Sequence, residues 1–113
     1  MIVLNAVYQK PEDEVAFKEH YQNIHMPLIA KTPGLLKTDV EYVTSVFIGN
    51  EESYYMIARM YFENKDTFKI AMKSDENKAA GKDLIGFAKG RVSLYVTEHI
   101  DCLLYTSPSP RDS

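Results

Sequence analysis

The sequence contains a single cysteine, Cys102, so it cannot form an internal disulfide. A reducing compartment is the default for such a chain. The N-terminal segment 1–7 lacks a basic region and has too short an apolar run for a signal peptide. No hydrophobic stretch approaches the ~20 residues of a membrane-spanning helix. We therefore expect a cytoplasmic protein that has no contact with a membrane.

Several kinds of functional site are also absent from the sequence. The chain has 13 Lys and Arg against 16 Asp and Glu. Its cationic residues are scattered along the sequence and do not form the basic stripe that would bind the phosphate backbone of a nucleic acid. It has no glycine-rich phosphate loop, and its three histidines do not show metal-ligand spacing. These absences predict no nucleic-acid partner, no metal and no nucleotide cofactor.

The composition is that of one folded domain. The 113 residues are 45% hydrophobic and 26% charged, and eight Tyr and five Phe supply bulk for a core without Trp. A lone domain of this size buries only about two-thirds of its unfolded surface. Association with a second copy would therefore help to stabilise it.

The C-terminal segment 102–113 differs from the rest of the chain. It contains Ser-Pro-Ser-Pro, and it has neither strand alternation nor helical periodicity. It resembles the translation of a sequencing-library adaptor read through at the end of an assembled fragment. We predict a folded domain over residues 1–101 and a non-native, disordered tail over residues 102–113, which removes Cys102 from the chemistry.

The hydrophobic pattern predicts an α+β fold with the order β-α-β-β-α-β, which is the ferredoxin-like arrangement. Strands are predicted over 2–8, 35–46, 54–62 and 91–99. The first helix shows an apolar stripe at Phe17, Tyr21, Ile24 and Leu28, and Asn64 and Ser74 are predicted N-caps of the later helical segments. Two helices cover one face of a four-stranded antiparallel sheet, and the other face is too apolar for water. Two copies packed through that face would make a dimeric α+β barrel.

His25 is the strongest candidate for chemistry. It lies about 70° from the centre of the apolar stripe at about 100° per residue, and Pro27 loosens the helix beside it. An imidazole at the border of a cleft can act as a general acid or base. The alternative is a helix-edge histidine bonded to a carbonyl or water. His20 lies at the opposite border, so the helical angle alone does not separate the two.

The strands supply weaker candidates. Arg59 has a planar guanidinium that can bind an enolate or carboxylate in a catalytic role, or can form a salt bridge at a dimer interface. Asp39 is predicted to pair with His25 across the sheet. Asn5 is a ligand-orienting group or a satisfied core amide, and the strand tyrosines are hydroxyl donors or packing residues. The predicted substrate-binding residues are Tyr21, Asn5, Asp39, Tyr42 and Tyr61.

Three patterns resemble the EthD family, and the likeness extends over about residues 2–98. They are Tyr21-x-x-x-His25-x-Pro27-Leu28, then Pro33-Gly34-Leu35, and finally Ser74, Glu76, Asp83 and Phe87 on a later helix. The resemblance implies a dimeric α+β barrel in which His25 is the motif histidine at a cleft. The chain departs from the family at Arg59, where relatives often carry an acidic residue.

The same resemblance implies two functions. One is a cofactor-independent enzyme of catabolism that performs acid/base chemistry on a small cyclic or aromatic compound, as an isomerase, dehydratase or monooxygenase. The other is a non-catalytic protein that binds a small molecule and serves an oxygenase pathway such as ether degradation. Both imply a homodimer and a small-molecule ligand.

Overall fold

The computed structural model describes residues 1–100, so Asp101 and the predicted tail over 102–113 lie outside the described residues. The elements are β1 (Ile2–Tyr8), α1 (Glu14–His20), a π-helical segment (Tyr21–His25), α2 (Met26–Ala30), β2 (Lys37–Tyr42), a 3-10 turn (Glu51–Ser53), β3 (Met56–Phe62), α3 (Lys65–Lys73), α4 (Asp75–Ala88) and β4 (Val92–Glu98). Among the helices of this described part, none has the length and apolar character to cross a bilayer.

The four strands form one antiparallel sheet in the order β2-β3-β1-β4, which confirms the predicted ferredoxin-like fold. The predicted second strand over 35–46 is too long, because β2 spans only Lys37–Tyr42 and residues 43–50 lie outside any strand. The central strands β1 and β3 pair in register from Ile2 with Phe62 to Tyr8 with Met56. The middle of the sheet is therefore the most regular platform for a site.

The two faces of the sheet are unequally covered. The face toward the helices carries the alternate residues of β1 and β3 that build the core, and these are Ile2, Leu4, Ala6, Tyr8, Met56, Ala58, Met60 and Phe62. The opposite face carries Asn5, Ile57, Arg59 and Tyr61, and no helix of the described chain packs on it. The helix-facing side therefore provides the walls for an enclosed cavity.

After Tyr21, each buried position of the first helical region lies one residue later in the chain than predicted. The buried positions recur every four residues, at Phe17, Tyr21, His25 and Ile29. The predicted position Ile24 is wrong, because this side chain is 49% exposed. The backbone N–H of Met26 bonds to the carbonyl of Tyr21, five residues earlier, so the segment makes a π-helical turn with one extra residue.

Pro27 accounts for this irregular turn. A proline lacks the N–H that would bond to the carbonyl of Asn23, and its ring crowds that carbonyl in a regular α-helix. Widening the preceding turn relieves the contact and leaves the helix continuous into α2. The consequence for the site is that His25, and not Ile24, faces the sheet.

Local side chains set where the later helices begin. The Asn64 carboxamide oxygen accepts from the Thr67 N–H at 2.9 Å, and the Ser74 hydroxyl accepts from the Asn77 N–H at 3.1 Å, which confirms both predicted N-caps. Gly34 has φ +77°, and a Cβ there would lie 2.5 Å from the Thr67 methyl carbon. The turn at Gly34 therefore packs closely against the start of α3.

Candidate functional site

A cavity of about 150 Å³ lies between the helices and the sheet. Its apolar walls include Leu4, Ala6, Ala58, Met60, Leu84 and Leu94. Its polar side chains come from both layers and include Tyr8, Tyr21, His25, Thr38 and Asn77. A concave apolar site with few polar groups is the usual form of a small-molecule site.

His25 lies in the wall of this cavity and is 4% exposed. The π-helical turn directs it inward, and its ring centroid lies 5.6 Å from that of Tyr21, one helical turn earlier. Its Nδ1 is 3.0 Å from a carboxylate oxygen of Asp83 on α4. The ring is therefore held in one orientation by a contact between two distant segments.

The carboxylate of Asp83 is within hydrogen-bond distance of two histidines. Besides His25, the Nε2 of His20 lies 2.9 and 3.1 Å from the two oxygens. Phe87 lies one turn further along α4, and its ring centroid is 4.5 Å from that of His20 and 5.0 Å from that of His25. The acid and the aromatic ring of α4 together position both imidazoles.

These contacts determine the charge of His25. Burial lowers its pKa from the usual 6.5, the hydrogen bond and charge of Asp83 act in the opposite direction, and nearby His20 lowers it further. The ring is then neutral at pH 7. We assign the proton to Nδ1, which donates to Asp83, so Nε2 carries the lone pair. A neutral imidazole held in this way is suited to accept a proton.

Two tyrosines beside the histidine are held in their protonated form. Burial, assisted by Tyr42, raises the pKa of Tyr21 to about 12. Burial raises the pKa of Tyr8 still more strongly, and Tyr21 and Asp83 add to the effect. Their rings pack edge to face at a centroid distance of 5.9 Å. At neutral pH both hydroxyls are available as hydrogen-bond donors.

The sequence candidates divide between the two faces of the sheet. His25 and Tyr21 line the same cavity. The side chains of Asn5, Asp39 and Tyr61 lie on the opposite face, where Asn5 donates to the Thr97 hydroxyl at 2.9 Å and the Tyr61 hydroxyl donates to Asp39 at 2.8 Å. The structure does not bring these three side chains to His25.

Arg59 borders the cavity through its place in β3, but its guanidinium is engaged on the opposite face. Its Nη1 lies 2.9 Å from Glu41 and 3.8 Å from Asp39. The predicted pairing of Asp39 with His25 is wrong, because strand alternation points Asp39 away from the helices and Asp83 occupies that role. Tyr42 is 42% exposed at the end of β2, under the Lys18 ammonium at 4.9 Å.

Sequence reasoning missed Asp83 as the partner of the histidine, and it missed the cavity positions of Tyr8, Thr38 and Asn77. Asp83 carried a signal, because it stands one helical turn before Phe87 in the pattern that resembles the EthD family. Tyr8 carried no signal beyond its place at the end of the predicted first strand. Within residues 1–100 no cluster of three or more His, Cys, Asp or Glu side chains could hold a metal ion.

Comparison with known proteins gives one consistent result. The family model described as EthD domain matches residues 9–91. An uncharacterized 11.0 kDa protein of Rhodococcus erythropolis, from the thcB-thcC intergenic region, is 35% identical over 98 residues, which is 87% of this chain and 94% of that protein. The crystal structure of an EthD-family protein from Bacillus halodurans is 38% identical with a TM-score of 0.82, over 88% of this chain and 99% of that one.

More distant solved structures share the fold alone. A dimeric ferredoxin-like protein from Jannaschia is 16% identical with a TM-score of 0.64, over 88% of this chain and 100% of that one. SnoaB from Streptomyces nogalater, a cofactor-independent oxygenase solved as a mutant, is 11% identical with a TM-score of 0.60, over 90% and 94% of the two chains. The fold therefore occurs both in a dimer and in an enzyme without a cofactor.

Proposed function

This chain belongs to the EthD domain family, and on that premise we propose that it is a cofactor-independent enzyme for acid/base chemistry on a small, uncharged cyclic or aromatic compound. The observation that carries the proposal is the contact of 3.0 Å between Nδ1 of His25 and Asp83 in the wall of an apolar cavity. A carboxylate behind an imidazole fixes its tautomer and stabilises the imidazolium that forms during proton transfer.

The proposed reaction begins with transfer of a proton to Nε2 of His25 from an acidic C–H or O–H of the bound compound. The electron pair left behind moves onto a carbonyl or phenol oxygen, and the hydroxyls of Tyr8 and Tyr21, which line the same cavity, are the proposed donors for that oxyanion. His25 then returns the proton. Return to another carbon gives an isomer, and return to a leaving hydroxyl gives a dehydration product and water.

Cavity size and charge support a narrow ligand class. A volume of about 150 Å³ is that of an apolar cavity able to hold a benzene-sized molecule. Among the described lining residues the one cation is Arg59, whose guanidinium is held by Glu41. A ligand carboxylate would lose its water without gaining a free cationic partner, which costs several kcal/mol. The proposed ligand is therefore a neutral single-ring compound.

Two variants start from the same cavity. A cofactor-free monooxygenase would use the same removal of a proton from a phenol before reaction with O₂, and the fold shared with SnoaB supports this variant at the level of architecture. The non-catalytic alternative is a protein that binds a small molecule for an oxygenase pathway. This alternative uses the same cavity and predicts that the protein binds the ligand without turnover.

The face of the sheet opposite the helices supports a proposed homodimer. Ile57 and Tyr61 are only partly buried there, and Tyr95 of the edge strand β4 is 47% exposed. A second copy packed on this face would remove these side chains from water, as the dimeric ferredoxin-like relative of the fold suggests. The cavity lies on the other side of the sheet and stays accessible in such a dimer.

The proposal is tested with the full chain and with His25→Gln, which keeps side-chain volume and polarity. Thermal shift is measured with phenol, small unsaturated lactones and cyclic ketones, each beside a carboxylate-bearing analogue such as 4-hydroxybenzoate. Ligands that bind are then incubated in D₂O, and proton loss or product formation is followed by NMR.

We expect neutral ligands to raise Tm and their carboxylate analogues to have no effect. Exchange or turnover should fall about 10²- to 10⁴-fold in His25→Gln while ligand affinity is largely retained. Binding without turnover in the native chain would establish the accessory role, and preferential binding of carboxylates would refute the neutral ligand class.

A further inference from the structure

The core of the protein is divided into two clusters, and the cavity lies between them. One cluster contains Tyr8 and Leu84, the other contains Met60 and Ala80, and all four side chains line the cavity. His25 belongs to the wall near the first cluster, where its ring packs against a tyrosine of that cluster. The cavity therefore has a first end at His25 and a second end toward the start of α4.

Asn77 supplies a polar group at the second end. It lines the cavity from the first turn of α4 and is half-buried. At a rise of about 1.5 Å per residue, it lies about 9 Å along the helix axis from Asp83, which holds His25. Its backbone N–H donates to the Ser74 hydroxyl at 3.1 Å, but its carboxamide has no hydrogen-bond partner among residues 1–100. The side chain is therefore free to bind a ligand.

Open space lies beside this carboxamide. Gly81 lines the cavity one helical turn after Asn77, and a Cβ at Gly81 would meet none of the surrounding atoms within 4 Å. Because the Cα–Cβ bond in a helix tilts toward the N-terminus, this space lies over the turn that carries Asn77. Asn and Gly are both poor helix formers, so helix stability explains neither residue. The two positions together leave a polar recess in an apolar wall.

We propose that Asn77 is a ligand-binding residue whose carboxamide forms a hydrogen bond with an oxygen substituent at the end of the ring distant from His25. This inference rests on the proposed function, and it narrows the ligand class to a neutral ring with oxygen groups at opposite ends. A carboxamide has two N–H donors and one acceptor oxygen, so it binds either a hydroxyl or a carbonyl group.

The test measures the affinity of the full chain for three phenols by isothermal titration calorimetry. Hydroquinone has hydroxyls at opposite ends of the ring, resorcinol has them in the 1,3 arrangement, and 4-methylphenol replaces one hydroxyl by a methyl group of similar size. Oxygen-free buffer prevents oxidation of the probes. The measured quantity is the Kd of 4-methylphenol divided by that of hydroquinone, because a general change in the cavity affects both ligands.

Three variants locate the hydrogen bond. Asn77→Leu keeps the side-chain size and the backbone N–H that Ser74 caps, and Asn23→Leu is the matched control at an exposed position of the first helical region. Thr38→Val removes the hydroxyl of the cavity residue that pairs with Met60, which is the competing polar group at the second end. The Tm of each variant verifies that it is folded.

We expect the native chain to bind hydroquinone more tightly than the other two phenols. The ratio should fall about 3- to 10-fold in Asn77→Leu, which is the effect of losing one hydrogen bond, and should stay native in Asn23→Leu and Thr38→Val. In an NMR titration, the side-chain NH₂ signals of Asn77 should shift with hydroquinone and not with 4-methylphenol. An unchanged ratio in folded Asn77→Leu would overturn the proposal, as would an equal loss in Thr38→Val or a native chain that binds none of the three phenols.

Gly81→Ala tests the recess separately. The added methyl group should weaken hydroquinone relative to phenol, while the Tm without ligand stays the same or rises because alanine is the better helix former. Hydroquinone and phenol affinities that keep their native ratio in Gly81→Ala would refute this placement of the second oxygen.

The result is separable from the proposed function, because binding requires no turnover. The expected ratios together with failure of every turnover assay would remove the enzyme and leave the role of Asn77 intact. Turnover that depends on His25, together with an unchanged ratio in Asn77→Leu, would remove the role of Asn77 and leave the enzyme intact.

Discussion

The two faces of the sheet place charged and titratable groups in different surroundings. Toward the helices, His25 and Asp83 meet beside an apolar cavity, with little access to water. On the opposite face Arg59 and Glu41 also meet closely, at 2.9 Å, but their side chains are 28% and 63% exposed. The two contacts have similar lengths, but water reaches the second pair far more than the first.

Burial explains the difference. A half-exposed ion pair is screened by solvent and contributes about 0–1 kcal/mol to stability. A buried imidazole is instead poised between protonation states, because desolvation and the carboxylate act on its pKa in opposite directions. The proposed proton transfer therefore uses the helix-facing side, and the proposed association uses the opposite side.

The largest expected effect comes from exchanging one aspartate on each face. Asp83→Asn should lower turnover of a ligand found by the screen about 10²- to 10⁴-fold, because an amide N–H directed at His25 favours the wrong tautomer. Asp39→Asn, on the other face, should leave turnover nearly unchanged. Equal losses in both variants, measured as kcat, would break the distinction between the faces.

The second comparison uses neighbouring residues of β3. Met56 is completely buried toward the helices, so Met56→Ala should lower the free energy of unfolding by about 2–5 kcal/mol. Ile57→Ala should cost less, because this side chain is only partly buried in one subunit. Urea denaturation measures both losses.

Protein concentration sharpens that comparison. If a second copy covers the face of Ile57, the Tm of the native chain rises with protein concentration, and the rise is weaker in Ile57→Ala. A native Tm independent of concentration, together with a monomeric mass by analytical ultracentrifugation, would contradict the proposed dimer.

The smallest expected effect is a pH dependence of stability. Because burial lowers the pKa of His25 below the 6.5 of the unfolded chain, the unfolded state binds more protons as the pH falls through 6.5. The free energy of unfolding should therefore decrease from about pH 7.5 to about pH 5.5. His25→Gln should show a smaller decrease, whereas Glu41→Gln on the opposite face should behave as the native chain does.

The fold was predictable because its signals are local. Alternation along β1 and β3, the caps at Asn64 and Ser74, and the order of the elements all depend on neighbours in the chain. The prediction failed at Ile24, where regular helical geometry was assumed. Pro27 was the available signal, but whether a proline kinks a helix, ends it or widens it into a π-turn depends on what packs around it.

The site was predictable only in part. His25 could be selected from the EthD-like pattern, and Tyr21 accompanies it one turn earlier. The strand candidates Asn5, Asp39 and Tyr61 were placed by charge and topology. Along each strand these residues alternate with the core residues, so they point away from the cavity. Alternation shows which residues share a face of the sheet, but it shows which face lines the cavity only when the position of the helices is known.

The amino-acid sequence by itself determined the order of strands and helices, the membership in the EthD family and the presence of a histidine beside a helix-distorting proline. Tertiary structure alone decided that Asp83 contacts both His20 and His25, which lie 63 and 58 residues away along the chain. Periodicity and capping act over a few residues, whereas the packing of α4 against the first helical region determines which side chains meet. The charge state of the proposed base follows from that packing, because desolvation and a shared carboxylate exist only in the folded chain.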